Sequence, residues 1–130
     1  MSKIKDLEYW ATKVDKAVAK GDYDEAINNY SKIIELNPSH AIQLGSVYLN
    51  RGLCYRRKGL YDEAIENYTK AIELDPSGEC GTERKGGVYL NRGIAYSGIK
   101  LYEEAIEDFS KAIELSPDFE DAYYHRVRQY

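Results

Sequence analysis

The sequence predicts an all-α fold, an α-solenoid of three helix–turn–helix hairpins with one C-terminal capping helix. Two observations support this prediction. The segment Tyr23–Pro38 recurs as Tyr61–Pro76 and again as Tyr102–Pro117. A second block, Val47–Tyr55, recurs as Val88–Tyr96 ahead of the later two copies. Each unit therefore has two parts, and repetition of a two-part unit is typical of stacked helical hairpins.

The first part of each unit predicts a helix with a glycine in its middle. Gly52 and Gly93 occupy that place, where a glycine costs about 1 kcal/mol relative to alanine. We therefore expect another helix to approach too closely there for a side chain. Gly21 and Gly59 are placed to end the first helices of the first two units.

The second part predicts an amphipathic helix. Its apolar residues fall at three- and four-residue spacing, which places them on one buried face. Asp22 and Glu25 predict a capping box at the start of the first such helix. Pro38, Pro76 and Pro117 predict where these helices end, because the residue before a proline is disfavoured in the helical region.

Composition narrows the class of protein. The chain has 130 residues and a mass of 14.9 kDa, which suits one domain and excludes a large multidomain enzyme. Its 18 basic and 22 acidic residues give a net charge of −4, which disfavours nucleic acid as a partner. Mean hydropathy is −0.62 and no apolar run has the length for membrane insertion. The N-terminus resembles no signal peptide, so we expect a cytoplasmic protein.

The units resemble the tetratricopeptide repeat, whose pattern is Trp-x2-Leu-Gly-x2-Tyr, then Ala-x3-Phe, then Pro. The second copy carries Tyr48, Gly52, Tyr55, Ala64, Tyr68 and Pro76 in these roles. The third carries Tyr89, Gly93, Tyr96, Ala105, Phe109 and Pro117. The first keeps Trp10, Ala26, Tyr30 and Pro38 but has Val14 and Ala17 where Gly and Tyr belong. The resemblance implies one domain, 1–130, with repeats about 7–38, 45–76 and 86–117 and a capping helix about 118–130.

Two departures from the repeat pattern are informative. Arg51 and Arg92 replace the leucine, and we expect their aliphatic stems to cover the seam between repeats while the guanidinium reaches an acid. The copies are spaced 38 and 41 residues apart, compared with about 34 in the standard unit. Either the first helices extend backwards, or residues 39–46 and 77–87 form loops. Four glycines favour a loop in the second of these joins.

The resemblance implies a binding function in the concave groove lined by the first helix of each repeat. Asn50 and Asn91 hold equivalent places, and an amide there can bracket one peptide unit of a ligand through its donor and its acceptor. The sequence thus predicts a protein-interaction adaptor for a peptide segment of a partner protein. The predicted groove residues are Asn50, Asn91, Leu49, Leu53, Arg56, Arg57, Leu90, Ile94 and Tyr124.

The members of the family that bind chaperone tails clamp a terminal carboxylate with a Lys and an Asn on the first repeat and a Lys and an Arg on the third. This sequence has Ala11 and Asp15, then Gly87 and Asn91, at those places and keeps only the middle Asn50. It therefore predicts no such clamp.

The alternative to peptide binding is a structural scaffold that forms a weak homodimer through Tyr123, Val127 and Tyr130 of the last helix. Catalysis is not predicted, because no nucleophile is placed by sequence beside His40 or His125. Cys54 and Cys80, interpreted as free thiols, are too few for a structural zinc site. The sequence predicts no metal and no cofactor.

Overall fold

The structure, a computed structural model, describes residues 3–36 and 41–130, and within them it contains seven helices and no strand. The all-α prediction is confirmed. The helix stop expected at Pro38 and the position of His40 lie outside the described residues. The helices are α1 (Lys3–Lys20), α2 (Tyr23–Glu35), α3 (Ala41–Arg57), α4 (Tyr61–Leu74), α5 (Gly87–Gly98), α6 (Tyr102–Leu115) and α7 (Glu120–Arg128).

The helices stack in chain order. Each helix packs on the next one, from α1 on α2 through to α6 on α7, and α5 also contacts α7. Packing between neighbours is the arrangement of a solenoid, in which each hairpin buries its apolar face on the adjacent one. No helix of the described residues is both long and apolar enough to cross a membrane.

The two joins differ. Helix α3 already begins at Ala41, so the first join is taken up by a backward extension of that helix. The second join, residues 77–86, is a loop that precedes α5. Gly78, Gly81 and Gly86 adopt positive φ in this loop, a backbone conformation that favours glycine.

The glycines in the middle of α3 and α5 lie against aromatic rings of the next helix. This is the close approach of a second helix that the sequence predicts. A Cβ added at Gly52 would lie 2.7 Å from Cε1 of Tyr68, and one at Gly93 would lie 2.5 Å from Cε1 of Phe109. Both rings are fully buried. The two helices of each hairpin therefore approach closely at these glycines.

The two seam arginines join three helices each. Arg92 donates to both carboxylate oxygens of Asp108 at 2.8 Å and to the Thr69 hydroxyl at 3.2 Å. Arg51 makes the same connections with neutral partners, Oδ1 of Asn67 at 2.7 Å and the Ser31 hydroxyl at 3.1 Å. The prediction that these guanidinium groups reach an acid holds for Arg92 and is wrong for Arg51, where an amide occupies the acid's place.

The helix starts are built in two ways. The Asp22 carboxylate accepts a hydrogen bond of 3.1 Å from the Glu25 amide, which caps α2. Helices α4 and α6 have no such side-chain cap. The turns before α2 and α4 contain Gly21 and Gly59 at positive φ, whereas the equivalent turn before α6 contains Lys100 at φ 65°.

We expect Lys100→Gly to raise the free energy of unfolding by up to about 1 kcal/mol, measured by urea denaturation. The left-handed region costs a non-glycine residue roughly 1–2 kcal/mol, and the greater entropy of glycine in the unfolded chain offsets roughly 0.5–1 kcal/mol of that gain. The matched control is Gly59→Lys, which should have the opposite sign because a side chain there meets only backbone strain and no neighbour. Equal stabilities for all three proteins would contradict this account.

Candidate functional site

Two equivalent asparagines lie half-buried on α3 and α5. The Nδ2 group of Asn91 donates to the Gly87 carbonyl at 3.0 Å, which fixes the orientation of its amide. Neither the Asn91 Oδ1 atom nor the Asn50 side chain forms a hydrogen bond with the described residues. The amide oxygens can therefore accept hydrogen bonds from a ligand, and the Asn50 Nδ2 group can donate hydrogen bonds to it.

The predicted apolar stripe beside these asparagines is shorter than the sequence indicates. Leu49 is only 1% exposed and belongs to the core, because the loop before α5 lies on it: a Cβ at Gly81 would be 2.5 Å from its Cδ2 atom. The prediction that Leu49 contacts a ligand is wrong. Leu53, Leu90 and Ile94 remain partly accessible.

A surface cavity of about 590 Å³ opens next to Asn91. Leu90 and Phe119 provide apolar contact surface, while Glu83, Glu120 and Asp121 contribute carboxylates. The Arg84 guanidinium lies 3.4 Å from the Asp118 carboxylate and 4.7 Å from the centre of the Phe119 ring, so its charge is partly compensated. The cavity therefore joins two predicted groove residues, Leu90 and Asn91, with an acidic rim that the sequence analysis did not identify.

The loop that forms one wall of this cavity is held in place by Asp75. Its carboxylate accepts hydrogen bonds from the Ser77 hydroxyl at 2.7 Å and from the Cys80 amide at 3.2 Å. Burial, with a further contribution from Asp75, raises the pKa of the Cys80 thiol to about 11, so this side chain packs as a neutral group. Gly86 closes the loop against α6, since a Cβ there would lie 2.9 Å from the Ala112 Cα atom.

The two arginines predicted to lie in the groove, Arg56 and Arg57, have different surroundings. Arg56 is half-buried, whereas Arg57 turns towards α2, with its guanidinium 5.8 Å from the centre of the Tyr23 ring. On α7, Arg128 lies 5.6 Å from the centre of the exposed Tyr124 ring and donates to its hydroxyl at 3.3 Å. Arg57 is therefore engaged with α2, whereas Tyr124 contacts Arg128 and remains exposed.

His125 of α7, which was not among the predicted groove residues, is half-buried beside two aromatic rings. Its ring stacks on Phe109 with centroids 5.6 Å apart, and the Tyr124 ring meets its edge at 5.4 Å. Burial lowers the pKa of this imidazole; Asp121 opposes the shift, and the positive charges of Arg128 and Arg56 add to it.

Comparison with known proteins identifies the architecture. One family model described as tetratricopeptide repeat matches residues 45–77 and 88–119, and a second of the same description matches residues 7–40. The chain belongs to the tetratricopeptide-repeat family. No curated protein sequence matches it.

Solved structures agree with this family membership. The chain is 26% identical to the tetratricopeptide domain of Arabidopsis OM64, with a TM-score of 0.80, and the match covers 98% of this chain and 97% of that one. The first such domain of Spaghetti (RPAP3), bound to the HSP90 peptide SRMEEVD, is 25% identical with a TM-score of 0.79, covering 96% and 90%. MamA is 31% identical with a TM-score of 0.76, covering 90% of this chain and 62% of MamA.

The tetratricopeptide register explains the position of His125. It follows Asn91 by one standard repeat of about 34 residues, so it occupies in α7 the place that Asn50 and Asn91 hold in α3 and α5. Val127 likewise stands where Gly52 and Gly93 stand. A Cβ at either glycine would overlap the ring packed there, so the branched Cβ of Val127 leaves no room for an equivalent ring.

Stability should fall as pH decreases below the ordinary pKa of histidine, near 6.5, in part because of His125. The folded protein holds this proton less tightly than the unfolded chain does; protonation therefore favours unfolding, and stability rises with pH in this range. His125→Asn, which installs the residue of the other repeats, should weaken the dependence between pH 5 and 7 in urea denaturation. An unchanged pH profile in the variant would show that another group is responsible.

Proposed function

We propose that this tetratricopeptide-repeat chain is a non-catalytic protein-interaction module that binds a peptide segment of a partner protein in the groove formed by α3, α5 and α7. The observation that carries the proposal is the pair Asn50 and Asn91 on successive repeats. The Asn50 side chain and the Asn91 Oδ1 atom form no hydrogen bond with the described residues, and Asn91 lines a cavity of about 590 Å³. The RPAP3 domain with a bound HSP90 peptide has the same fold over most of its length, which supports this type of ligand.

The amides would hold the ligand backbone, since each offers hydrogen bonds that are independent of the ligand's sequence. Leu53, Leu90 and Ile94 would contact apolar side chains of the ligand. Burying each of these contacts contributes through removal of apolar area from water, at about 25 cal/mol per Å². Affinity would therefore come from the apolar contacts, and alignment of the peptide from the asparagines.

The acidic rim of the cavity makes this groove a poor site for an acidic tail. We expect the peptide SRMEEVD, which the RPAP3 domain binds, to show no binding below about 1 mM in fluorescence anisotropy. Its carboxylates would meet Glu83, Glu120 and Asp121, and like charges at a few ångströms repel each other. Micromolar binding of this peptide would contradict the account of the rim.

The proposal is tested by affinity capture from a lysate of the source cell, read by mass spectrometry. Wild type is compared with the double variant Asn50→Ala and Asn91→Ala after circular dichroism shows equal helicity. The matched control is Asn28→Ala, an exposed asparagine on α2. Partners lost from the double variant and kept by the control support the groove. Partners kept by all three proteins would place binding elsewhere.

A second candidate function is self-association through α7. Val127 is 65% exposed and Tyr130 is 84% exposed, with Tyr123 beside them, and exposed apolar side chains in one cluster mark an interaction surface. Light scattering over a concentration series separates the two functions. A dimer that Tyr130→Ser dissociates would favour the scaffold, and a strict monomer would exclude it.

A further inference from the structure

Arg51 of α3 and Lys58, which directly follows α3, hold the preceding helix α2 in place. Arg51 donates to the Ser31 hydroxyl at 3.1 Å, and Lys58 forms an ion pair with Asp24. The two cations are seven residues apart in the chain, and the two acceptors are seven residues apart on α2. Because Lys58 meets the start of α2 and Arg51 its later part, the two helices run antiparallel.

The same contact recurs at each seam between repeats. In every case a guanidinium lies over an aromatic ring of its own helix and reaches a hydroxyl of the preceding helix. The three sets are Arg51 with Tyr48 and Ser31, Arg92 with Tyr89 and Thr69, and Arg126 with Tyr123 and Ser110.

Helix α1 carries an equivalent surface on its outer side. Lys13 and Lys20 stand one repeat before Arg51 and Lys58. The Lys13 ammonium lies 5.7 Å from the centre of the Trp10 ring, as each arginine lies over its own ring. No carboxylate of residues 3–36 and 41–130 lies within ion-pair distance of Lys13 or Lys20.

No helix among the described residues covers this side of α1. Lys16 is exposed there, whereas Cys54, its equivalent on α3, is 5% exposed beneath α2. A surface cavity of about 510 Å³ lies on this side of α1, and its lining has more lysines than carboxylates: Lys5, Glu8, Tyr9, Thr12, Lys13, Lys16, Lys20 and Glu25. We call this surface, formed by Tyr9, Lys13, Lys16 and Lys20, the α1 face.

A polar group next to the α1 face also lacks its usual partner. Asn29 on α2 stands in register with Asn67, whose Oδ1 binds Arg51 and whose Nδ2 donates to the Glu63 carbonyl at 2.8 Å. Asn29 is 6% exposed, and its Nδ2 atom has no hydrogen-bond partner in the part of the chain that the structure describes. In the first hairpin, therefore, this asparagine lacks the hydrogen bond that Asn67 makes within its own helix.

The charge of α1 indicates what would cover this surface. The helix has five lysines and three acidic residues, a net charge of +2 in a chain whose net charge is −4. The helices that cover the equivalent surfaces, α2, α4 and α6, are all acidic. Complementary charge and continuity with the three internal seams both favour an acidic helix.

We propose that the α1 face binds an amphipathic helix of a partner protein, antiparallel to α1, which presents a carboxylate to Lys20 and, seven residues later, a serine or threonine hydroxyl to Lys13. This surface is separate from the groove, so the two binding functions stand or fall independently. The cavity accepts the side chains between the two polar contacts.

The test uses a peptide with the sequence of residues 60–75, which contains Asp62 and Thr69 at the required spacing. A lactam bridge between Glu66 and Lys70, on the solvent side, keeps it helical and removes the cost of helix nucleation. Trp10 is the only tryptophan of the chain, and its emission reports binding at the α1 face directly. We expect a saturable change in Trp10 emission.

Exchanging the charges of the proposed ion pair shows whether the peptide contacts Lys20. Lys20→Glu should weaken binding by about tenfold, and the same variant should recover affinity for a peptide in which lysine replaces Asp62. Lys111→Glu, an exposed change on α6, is the matched control and should leave affinity unaltered. The double variant Asn50→Ala and Asn91→Ala should also bind normally, since the peptide does not use the groove.

Three results would overturn the proposal. The first is the absence of a saturable change in Trp10 emission up to millimolar peptide. The second is equal weakening by Lys111→Glu or by the groove variant, which would show that the peptide binds elsewhere or through net charge alone. The third is a dimer of the protein without peptide that Lys20→Glu dissociates, which would make a second copy of the chain the occupant.

Discussion

Asp108→Ala is expected to lower the free energy of unfolding by about 3–5 kcal/mol, measured by urea denaturation. Both carboxylate oxygens of this buried residue accept hydrogen bonds of 2.8 Å from Arg92. Removal of the carboxylate leaves the Arg92 charge largely buried, and among the described residues the neutral Thr69 hydroxyl is then its one side-chain hydrogen-bond acceptor. An uncompensated buried charge is among the most destabilising changes that a single substitution can cause.

The control for this prediction exists within the chain. Asn67 fills the equivalent place in the second repeat and accepts a hydrogen bond of 2.7 Å from Arg51. Asp108→Asn should therefore be less destabilising than Asp108→Ala, because an amide oxygen still accepts one bond from Arg92. Equal losses of unfolding free energy for Asp108→Ala and Asp108→Asn would show that the Arg92 guanidinium does not depend on an acceptor at position 108.

Phe109→Ala is expected to lower the free energy of unfolding by about 3–5 kcal/mol. The ring is fully buried, lies against Gly93 of α5 and stacks on His125 of α7 with centroids 5.6 Å apart. Its loss leaves a cavity where three helices meet, and the surrounding backbone can collapse into it only in part. The measurement is again denaturation by urea.

A double-mutant cycle tests whether the contact with Gly93 is the reason for that glycine. Gly93→Ala alone should destabilise by about 1–3 kcal/mol, because the new methyl group overlaps the Phe109 ring. In the Phe109→Ala background the same change should cost much less, since the ring is gone and alanine favours a helix over glycine. Additive costs would contradict the close approach at this position.

The fold was predictable because the same pattern of apolar residues occurs in each of the three repeats. The spacing of Tyr61, Ala64 and Tyr68 recurs in each unit, so the helical face and the hairpin partner follow from the pattern itself. The glycines at 52 and 93 predicted the close approach for a physical reason, the absence of a side chain. The positive φ of Lys100 could not be predicted from its residue type, because it follows only from the position that Lys100 occupies in the turn.

The site was less predictable because it depends on how the second join folds. The glycines of residues 77–87 indicated a loop, but nothing in the sequence placed it on Leu49, which it buries. The acidic rim of the cavity comes from this loop and from the start of α7, two segments that meet only in the folded chain. His125 was detectable in principle, because it follows Asn91 by one standard repeat.

Photo-crosslinking tests directly whether a partner peptide binds in the groove formed by α3, α5 and α7. A benzophenone amino acid replaces Tyr124, a predicted groove residue, and in a matched protein it replaces Tyr102 on α6; both tyrosines are exposed. The account predicts that position 124 captures a partner segment and that the Asn50→Ala and Asn91→Ala changes abolish this product. Capture that is equally efficient from position 102, or that persists without the two asparagines, would contradict binding in the groove.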